Sequence, residues 1–394
     1  MKKIFFTLLV FSFSSSTPAF SFQERTNEIL QEAFRRVKEK FAPDKRTAVF
    51  DISWERNGPS LVVKGEADNP SAKAELIRAF LESSSITVVD SIRLLPDPSL
   101  GDKTFGIVSL SVGNVRSKPG NAEELATQVL MGMVVKLLKK ESGYYLVQSS
   151  DSYLGWLDSD ALFLANRGTL DGWVSGPKVI ATGLFTMVRE KPDANGQPVC
   201  DLVAGGILKT VDAKNLWVQV ELPDGRKGYV DRAYVEDYES WKASRKLTGE
   251  NIEKSAKSLM GIPYLWGGTS VKGMDCSGFS KTVFRMNGME LNRDANQQAL
   301  MGEDLNPGEG FQNLRKGDLL FFGRKASFER RESISHVAVY LENKTFIHTP
   351  SGRGVRIGSF DPASSFYDEA NFKRFVRARR VIPATATPEV RKNN

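Results

Sequence analysis

The sequence predicts a multidomain chain: a small α+β unit first, two small β-barrels next, and an α+β domain at the end. Three observations lead there. A length of 394 residues leaves room for roughly two to four domains. From Phe105 to Val230 the chain breaks into short β-prone stretches that repeat with a period of about 73 residues. Beyond residue 245, helical and strand patterns surround Cys276, one of only two cysteines, and the chain's only two histidines, His336 and His348, follow it.

Apolar residues make up 41% and charged residues 26%, so most of the chain should be globular. The net charge of +7 is spread out, with no block of five or more like charges. That argues against a nucleic-acid partner and fits mild attraction to anionic surfaces such as cell-wall polymers. Residues 1–21 read as a secretory signal: Lys2-Lys3, an apolar core from Ile4 to Phe13, and small residues at Ala19 and Ser21. That core is shorter than the ~20 residues a spanning helix needs, so no stable membrane insertion is expected. No cysteine stands at the cleavage point, which argues against a lipid anchor. Export would place the protein in the periplasm or outside the cell. Such a compartment permits a disulfide between Cys200 and Cys276, but a nucleophile must stay free; Cys200 reads as an incidental thiol.

Residues 22–103 read as an αββαβ domain. Ile29, Leu30, Ala33, Phe34 and Val37 have helical spacing. Ala48–Trp54 and Leu61–Ala67 flank the hairpin signal Asn57-Gly58. Ser71 is expected to cap a second helix whose buried face would hold Ala74, Ile77 and Leu81. Ile86–Leu95 reads as the third strand.

Residues 104–168 hold five or so short strands, around Ile107, Val115, Leu125–Leu130, Met133–Leu138, Tyr144–Gln148 and Tyr153–Leu157. That density argues a small barrel. Residues 169–240 hold a second copy, the endings "YYLVQSSDSYLGWL" and "LWVQVELPDGRKGYV" matching. The sequence "NVRSKP" with "VKLLKKESGYYLVQSSDSYLGWL" resembles a bacterial SH3 domain. Most of its aromatics should be barrel core.

Tyr238–Arg245 reads as a polar linker, and 245–382 as the last domain, followed by a Pro/Thr/Lys/Asn-rich tail at 383–394 expected to be disordered. A helix over Asn251–Met260 precedes the turn Gly261–Gly268. The next helix runs from Cys276 to Met286. Strands follow at Asp318–Phe322, His336–Leu341, Thr345–Thr349 and Phe375–Arg380. Cys276 thus opens a helix, where N–H groups and the dipole favour a thiolate. His336 could carry a proton between sulfur and leaving group, and His348 could set its tautomer. The same N–H groups could form an oxyanion hole. An ordinary buried thiol, a zinc set and a catalytically dead copy are the competing readings. The spacings of 60 and 12 residues match no common zinc motif.

"GIPYLWGGTSVKGMDCSGFSKTVF" (261–284), "RKGDLLFFG" (315–323) and "ISHVAVYLENKTFIHTPSGRGV" (334–355) closely resemble the NlpC/P60 papain-like cysteine peptidases. The resemblance implies a circularly permuted papain-like α+β domain, without metal or cofactor. It implies Cys276 as nucleophile, His336 as base and His348 as third member. It makes Tyr264 a donor to the oxyanion, and Asp275, Ser277 and Trp266 contacts of the substrate.

The layout of a small domain, two SH3-like barrels and this peptidase is similar to the γ-D-glutamyl-L-diamino acid endopeptidases. In those the first barrel closes one end of the groove and binds the free amine of a terminal L-Ala. By that resemblance Glu124, with Glu123 as fallback, would supply the carboxylate, and Tyr153 or Trp156 the aromatic. The implied activity is hydrolysis of the γ-D-Glu–diamino acid bond through a thioester, in a monomer acting on peptidoglycan-derived peptides. Cleavage of intact murein, and cell-wall binding through the SH3-like domains, are the alternatives.

Overall fold

The computed structural model describes residues 22–83, 86–213 and 216–383; the leader and most of the tail read from the sequence lie outside the described residues. The chain divides into two compact units. One holds the residues up to Lys45 with Val49–Leu94, the other Arg46–Ala48 with everything from Leu95 onward.

The first unit has the expected order: α1 (Phe22–Phe41), β1 (Phe50–Asn57), β2 (Ser60–Ala67), α2 (Pro70–Ser83) and β3 (Thr87–Leu94). β1 pairs antiparallel with β2, and β2 parallel with β3. Leu30, Ala33 and Val37 of α1 are buried at helical spacing. Phe34, Trp54 and Phe80 then pack in series, tilted and edge-on, with centroids 5.3 and 5.1 Å apart. Two expectations fail at α2. Asn69 caps it, accepting from Ser71 N–H at 2.9 Å, and Pro70 takes the first helical position. The buried face is Ala72, Leu76, Ala79 and Phe80, whereas Ala74 and Leu81 are exposed. Ile77 is only half-buried.

The second unit begins with two antiparallel barrels. The first comprises β4 (Phe105–Val108), β5 (Val112–Arg116), β6 (Leu125–Leu130), β7 (Val134–Glu141), β8 (Tyr144–Gln148), β9 (Leu154–Asp158) and β10 (Leu162–Ala165). After α3 (Arg167–Ser175) come β11 (Lys178–Ala181), β12 (Phe185–Arg189), β13 (Pro198–Val203), β14 (Ile207–Asp212), β15 (Trp217–Glu221), β16 (Lys227–Asp231) and β17 (Val235–Asp237). Each barrel has seven strands, more than the pattern suggested; the closing strands β10 and β17 are only four and three residues long. The repeat has a packing cause. A Cβ on Gly155 would meet Val115 at 2.5 Å and Arg116 O at 2.9 Å; on Gly228 it would meet Val188 at 2.6 Å and Arg189 O at 2.8 Å. Strands cross there too closely for any side chain, so both copies place glycine before the aromatic. α3 lies where the two barrels were expected to abut, and the expected polar linker is the helix α4 (Tyr238–Ser244), capped by Asp237.

The last domain runs α5 (Gly249–Ser258), the short β18 (Thr269–Ser270) and β19 (Gly273–Met274), α6 (Cys276–Arg285) and α7 (Ala295–Gln298). It continues with β20 (Glu303–Leu305), β21 (Leu319–Arg324), β22 (Ser333–Tyr340), β23 (Thr345–His348), β24 (Arg356–Ser359), α8 (Glu369–Arg374) and β25 (Phe375–Arg380). Its sheet has the order β20-β25-β21-β22-β23-β24, antiparallel throughout. Phe279 and Val283 of α6 pack with Val337 and Val339 of β22, which places the cysteine helix on the sheet. The other face buries Leu320, Phe322, Ala338 and Phe346. His336 lies inside β22 rather than at its start, because pairing with β21 extends the strand back to Ser333.

Candidate active site

Asp275 determines where α6 begins. Its Oδ1 accepts from Gly278 N–H at 2.7 Å, an N-cap bond, and its Oδ2 accepts from Gly267 N–H at 2.9 Å. Arg293, only 1% exposed, donates to both oxygens at 3.1 and 2.6 Å and to Ser277 Oγ at 2.9 Å. Its Nε reaches Thr127 Oγ1 of the first barrel at 3.1 Å. A fully desolvated guanidinium needs such a set of acceptors. The side chains of Asp275 and Ser277, which the resemblance assigned to substrate, are therefore engaged within the protein. The sequence offered no signal for Arg293 beyond its place in a polar stretch.

Cys276 occupies the first position of α6 and is buried. Backbone N–H groups of Val337 and Ser277 lie within hydrogen-bond reach of the sulfur. Burial, then the Asp275 charge, pushes the thiol up to about 12, and those N–H groups only moderate the rise. Burial therefore acts against the acidic thiol expected of a helix N-terminus. His336, next to Val337, is carried down to about 3 by burial, then by His348 and Arg374. Burial thus works against charge on both the thiol and the imidazole.

His336 Nε2 and His348 Nδ1 are 2.9 Å apart. Nε2 of His336 is therefore occupied, and Nδ1 is the ring nitrogen outside that bond. His348 ends β23 and is 2% exposed; burial holds it at about 4, lowered also by Arg356 and raised by Asp368. The sequence reading missed Asp368, whose Oδ2 lies 3.8 Å from His348 Nε2.

Tyr264 is half-buried beside Cys276. Burial and the neighbouring sulfur raise its hydroxyl to about 12, so it keeps its proton and can donate. Trp266 is 61% exposed, and its indole N–H donates to Glu124 Oε1 at 2.8 Å. Gly267 follows with φ +78°; a Cβ there would strike Leu125 O at 2.2 Å. The turn before the cysteine is thus pressed onto the Glu124–Leu125 step of the first barrel. Thr269 adds two bonds to Gln128, each 3.0 Å. The buried Lys281–Asp151 ion pair adds another tie at 2.9 Å. The Glu123 backbone carbonyl accepts from the Arg116 guanidinium at 2.7 Å, whereas the Glu124 carboxylate faces the turn.

The two aromatic candidates come out differently. Tyr153 is buried and donates to Asp294 Oδ2 at 3.0 Å, an oxygen also held by Arg46 at 2.7 Å. Trp156 is buried in the barrel wall with Lys139 Nζ 5.6 Å above its ring. Both are packed within the protein rather than presented as an exposed aromatic surface. Cys200 and Cys276 are both free thiols, and Cys200 lies on β13 against the core of the second barrel.

Residues 261–380 match the NlpC/P60 family, residues 115–162 the bacterial dipeptidyl-peptidase Sh3 domain, and residues 185–236 the bacterial SH3 domain. The chain is 31% identical over 249 residues to a gamma-D-glutamyl-L-lysine dipeptidyl-peptidase of Bacillus subtilis (strain 168), covering 59% of this chain and 75% of that protein. It is 27% identical over 276 residues to dipeptidyl-peptidase 6 of Lysinibacillus sphaericus, covering 66% of this chain and 93% of that one. An NlpC/P60 family protein from Bacillus cereus ATCC 10987 has the same fold, with a TM-score of 0.61 at 22% identity, over 71% of this chain and 100% of that one.

Proposed function

Because the chain belongs to the NlpC/P60 family of cysteine peptidases and carries two bacterial SH3 domains ahead of its peptidase domain, we propose that it hydrolyses the γ-D-Glu–diamino acid bond of peptidoglycan stem peptides with a free N-terminal L-Ala. The reading rests on one observation above others. Trp266, two residues from Tyr264 in the turn before Cys276, is bonded at 2.8 Å to Glu124 of the first barrel. A barrel carboxylate is thereby held beside the turn that leads to the sulfur. It can pair with a substrate ammonium and disfavour chains whose amine is blocked, since a blocked end leaves that charge without its partner.

In this reading Cys276 attacks the γ-carbonyl carbon of D-Glu while its S–H proton passes to His336 Nδ1. Burial opposes charge on both groups, so in this reading proton transfer accompanies attack. The oxyanion takes hydrogen bonds from the Tyr264 hydroxyl and from N–H groups at the start of α6. The C–N bond then breaks, and the leaving amine takes the proton from His336, leaving a thioester. Water gives a proton to His336 and attacks the thioester; the C–S bond breaks and the sulfur recovers its proton. A leader such as residues 1–21 supports action outside the cytoplasm, in the periplasm or beyond.

The test is turnover of L-Ala-γ-D-Glu-diamino acid tripeptide by the Cys276→Ala variant. Full activity in that variant sinks the reading. Incubation of the native protein with intact sacculi and with free muropeptides tests the substrate: release from free peptides alone supports it, and equal release from sacculi overturns it.

A further inference from the structure

We propose that Asp368 is a positioning residue that fixes the tautomer of His348, and through it leaves His336 with a free Nδ1 toward Cys276. The inference rests on the reading of Cys276, His336 and His348 as the reacting set.

Two neutral imidazoles 2.9 Å apart share one proton. In one arrangement His336 Nε2–H donates to His348 Nδ1. His348 then carries its own proton on Nε2, and His336 Nδ1 is a lone pair able to accept the thiol proton. In the other arrangement His348 Nδ1–H donates to His336 Nε2. His336 then carries its proton on Nδ1 and cannot act as base. The two arrangements differ at His348 Nε2, which is N–H in the first and a lone pair in the second. That atom lies 3.8 Å from Asp368 Oδ2. A carboxylate favours the N–H and repels the lone pair, so it selects the productive arrangement.

The carboxylate is held in place for this. Its Oδ1 accepts from Asn371 N–H at 3.0 Å, and its Oδ2 from the buried Asn371 side-chain amide at 2.8 Å. The other charged groups acting on the pair are Arg356, opposite His348 in the strand register, and Arg374 of α8 near His336. Both arginines disfavour an imidazolium, and the Asp368 carboxylate is the group that opposes them at His348. Asp368 also caps the six-residue α8. The test has to separate that structural role from the electrostatic one.

The chain's only two histidines make the experiment unambiguous. In full-length protein labelled with 15N-histidine, long-range 1H–15N correlations report which ring nitrogen of each residue bears hydrogen. The native protein should show His348 protonated on Nε2 and His336 also protonated on Nε2. In Asp368→Ser, which keeps a capping side chain but removes the charge, His348 should move toward a tautomer mixture. Its kcat should fall at least about tenfold, with KM little changed and the lower pH limb displaced. Asp368→Asn, also a good cap, should give a smaller change in the same direction. Asn371→Ala loosens the cap while leaving the charge, and should keep the native tautomers. A native His348 protonated on Nδ1, or tautomers unchanged in both Asp368 variants, overturns the proposal. Neither result bears on whether Cys276 is the nucleophile, which the Cys276→Ala assay decides separately.

Discussion

The indole of Trp266 and the carboxylate of Glu124 meet at 2.8 Å although 142 residues separate them in the chain. The bond joins the peptidase turn to the first barrel beside Cys276, and it aims the one barrel carboxylate that the proposed amine recognition uses. Removing that charge should change selectivity more than fold. Glu124→Gln should lose about ten- to a hundredfold in kcat/KM on peptides with a free L-Ala amine, the worth of a hydrogen bond to a charged group. N-acetylated peptides should be cut no more slowly than by the native protein. Measuring both substrates gives the ratio; an unchanged ratio removes Glu124 from recognition.

The reacting set should behave as a unit. Cys276→Ala should reduce kcat by about four orders of magnitude or more, and His336→Gln by a similar factor, with the double variant no worse than either. Additive losses in single-turnover measurements would mean that the two residues act in separate steps.

Arg293 is the buried charge on which the cysteine turn depends. Arg293→Met strands the Asp275 carboxylate and should cost about 3–5 kcal/mol, read as a lower denaturation midpoint at unchanged m. Asp275→Asn combined with Arg293→Met should be less damaging than the sum of the two, because the second change relieves the stranded charge.

Gly267 has neither the dihedral freedom nor the space for a side chain. Gly267→Ala meets Leu125 O at 2.2 Å and keeps φ at +78°, so the turn has to lift from the barrel. Lower thermal stability together with reduced activity is expected. A variant as stable and active as the native protein would show that this contact is not needed for the site.

Both histidines are depressed in the folded state, His336 to about 3 and His348 to about 4, against an ordinary value of 6.5. Between those limits the unfolded chain binds protons that the folded chain refuses. The contribution of both imidazoles to stability is therefore full above pH 6.5 and falls on acidification toward about pH 4 for His348 and about pH 3 for His336, with a slope of up to about 1.4 kcal/mol per pH unit for each. Denaturant titrations across that window should show the slope, and a His336→Gln, His348→Gln double variant should flatten it.

The residues proposed to react could be singled out in the sequence because their types are scarce. Two cysteines and two histidines leave few combinations, and Cys276 sits in a motif whose turn, cap and helix are all local. The αββαβ order and the barrel repeat were readable for the same reason, since hydrophobic period and glycine placement act over a few residues. The partners of those residues were not legible. Aspartate and glutamate total 47, and nothing nearby distinguishes Asp368; the fold that brings it to 3.8 Å from His348 does. Nor does the sequence near Tyr153 show that its hydroxyl donates to Asp294, 141 residues on. The helix start argued for an acidic thiol, yet burial assembled from α6 and β22 pushed it the other way. Local sequence determined which groups can react. Which proton each one holds depends on desolvation and on charges from distant segments, and those exist only once the chain has packed.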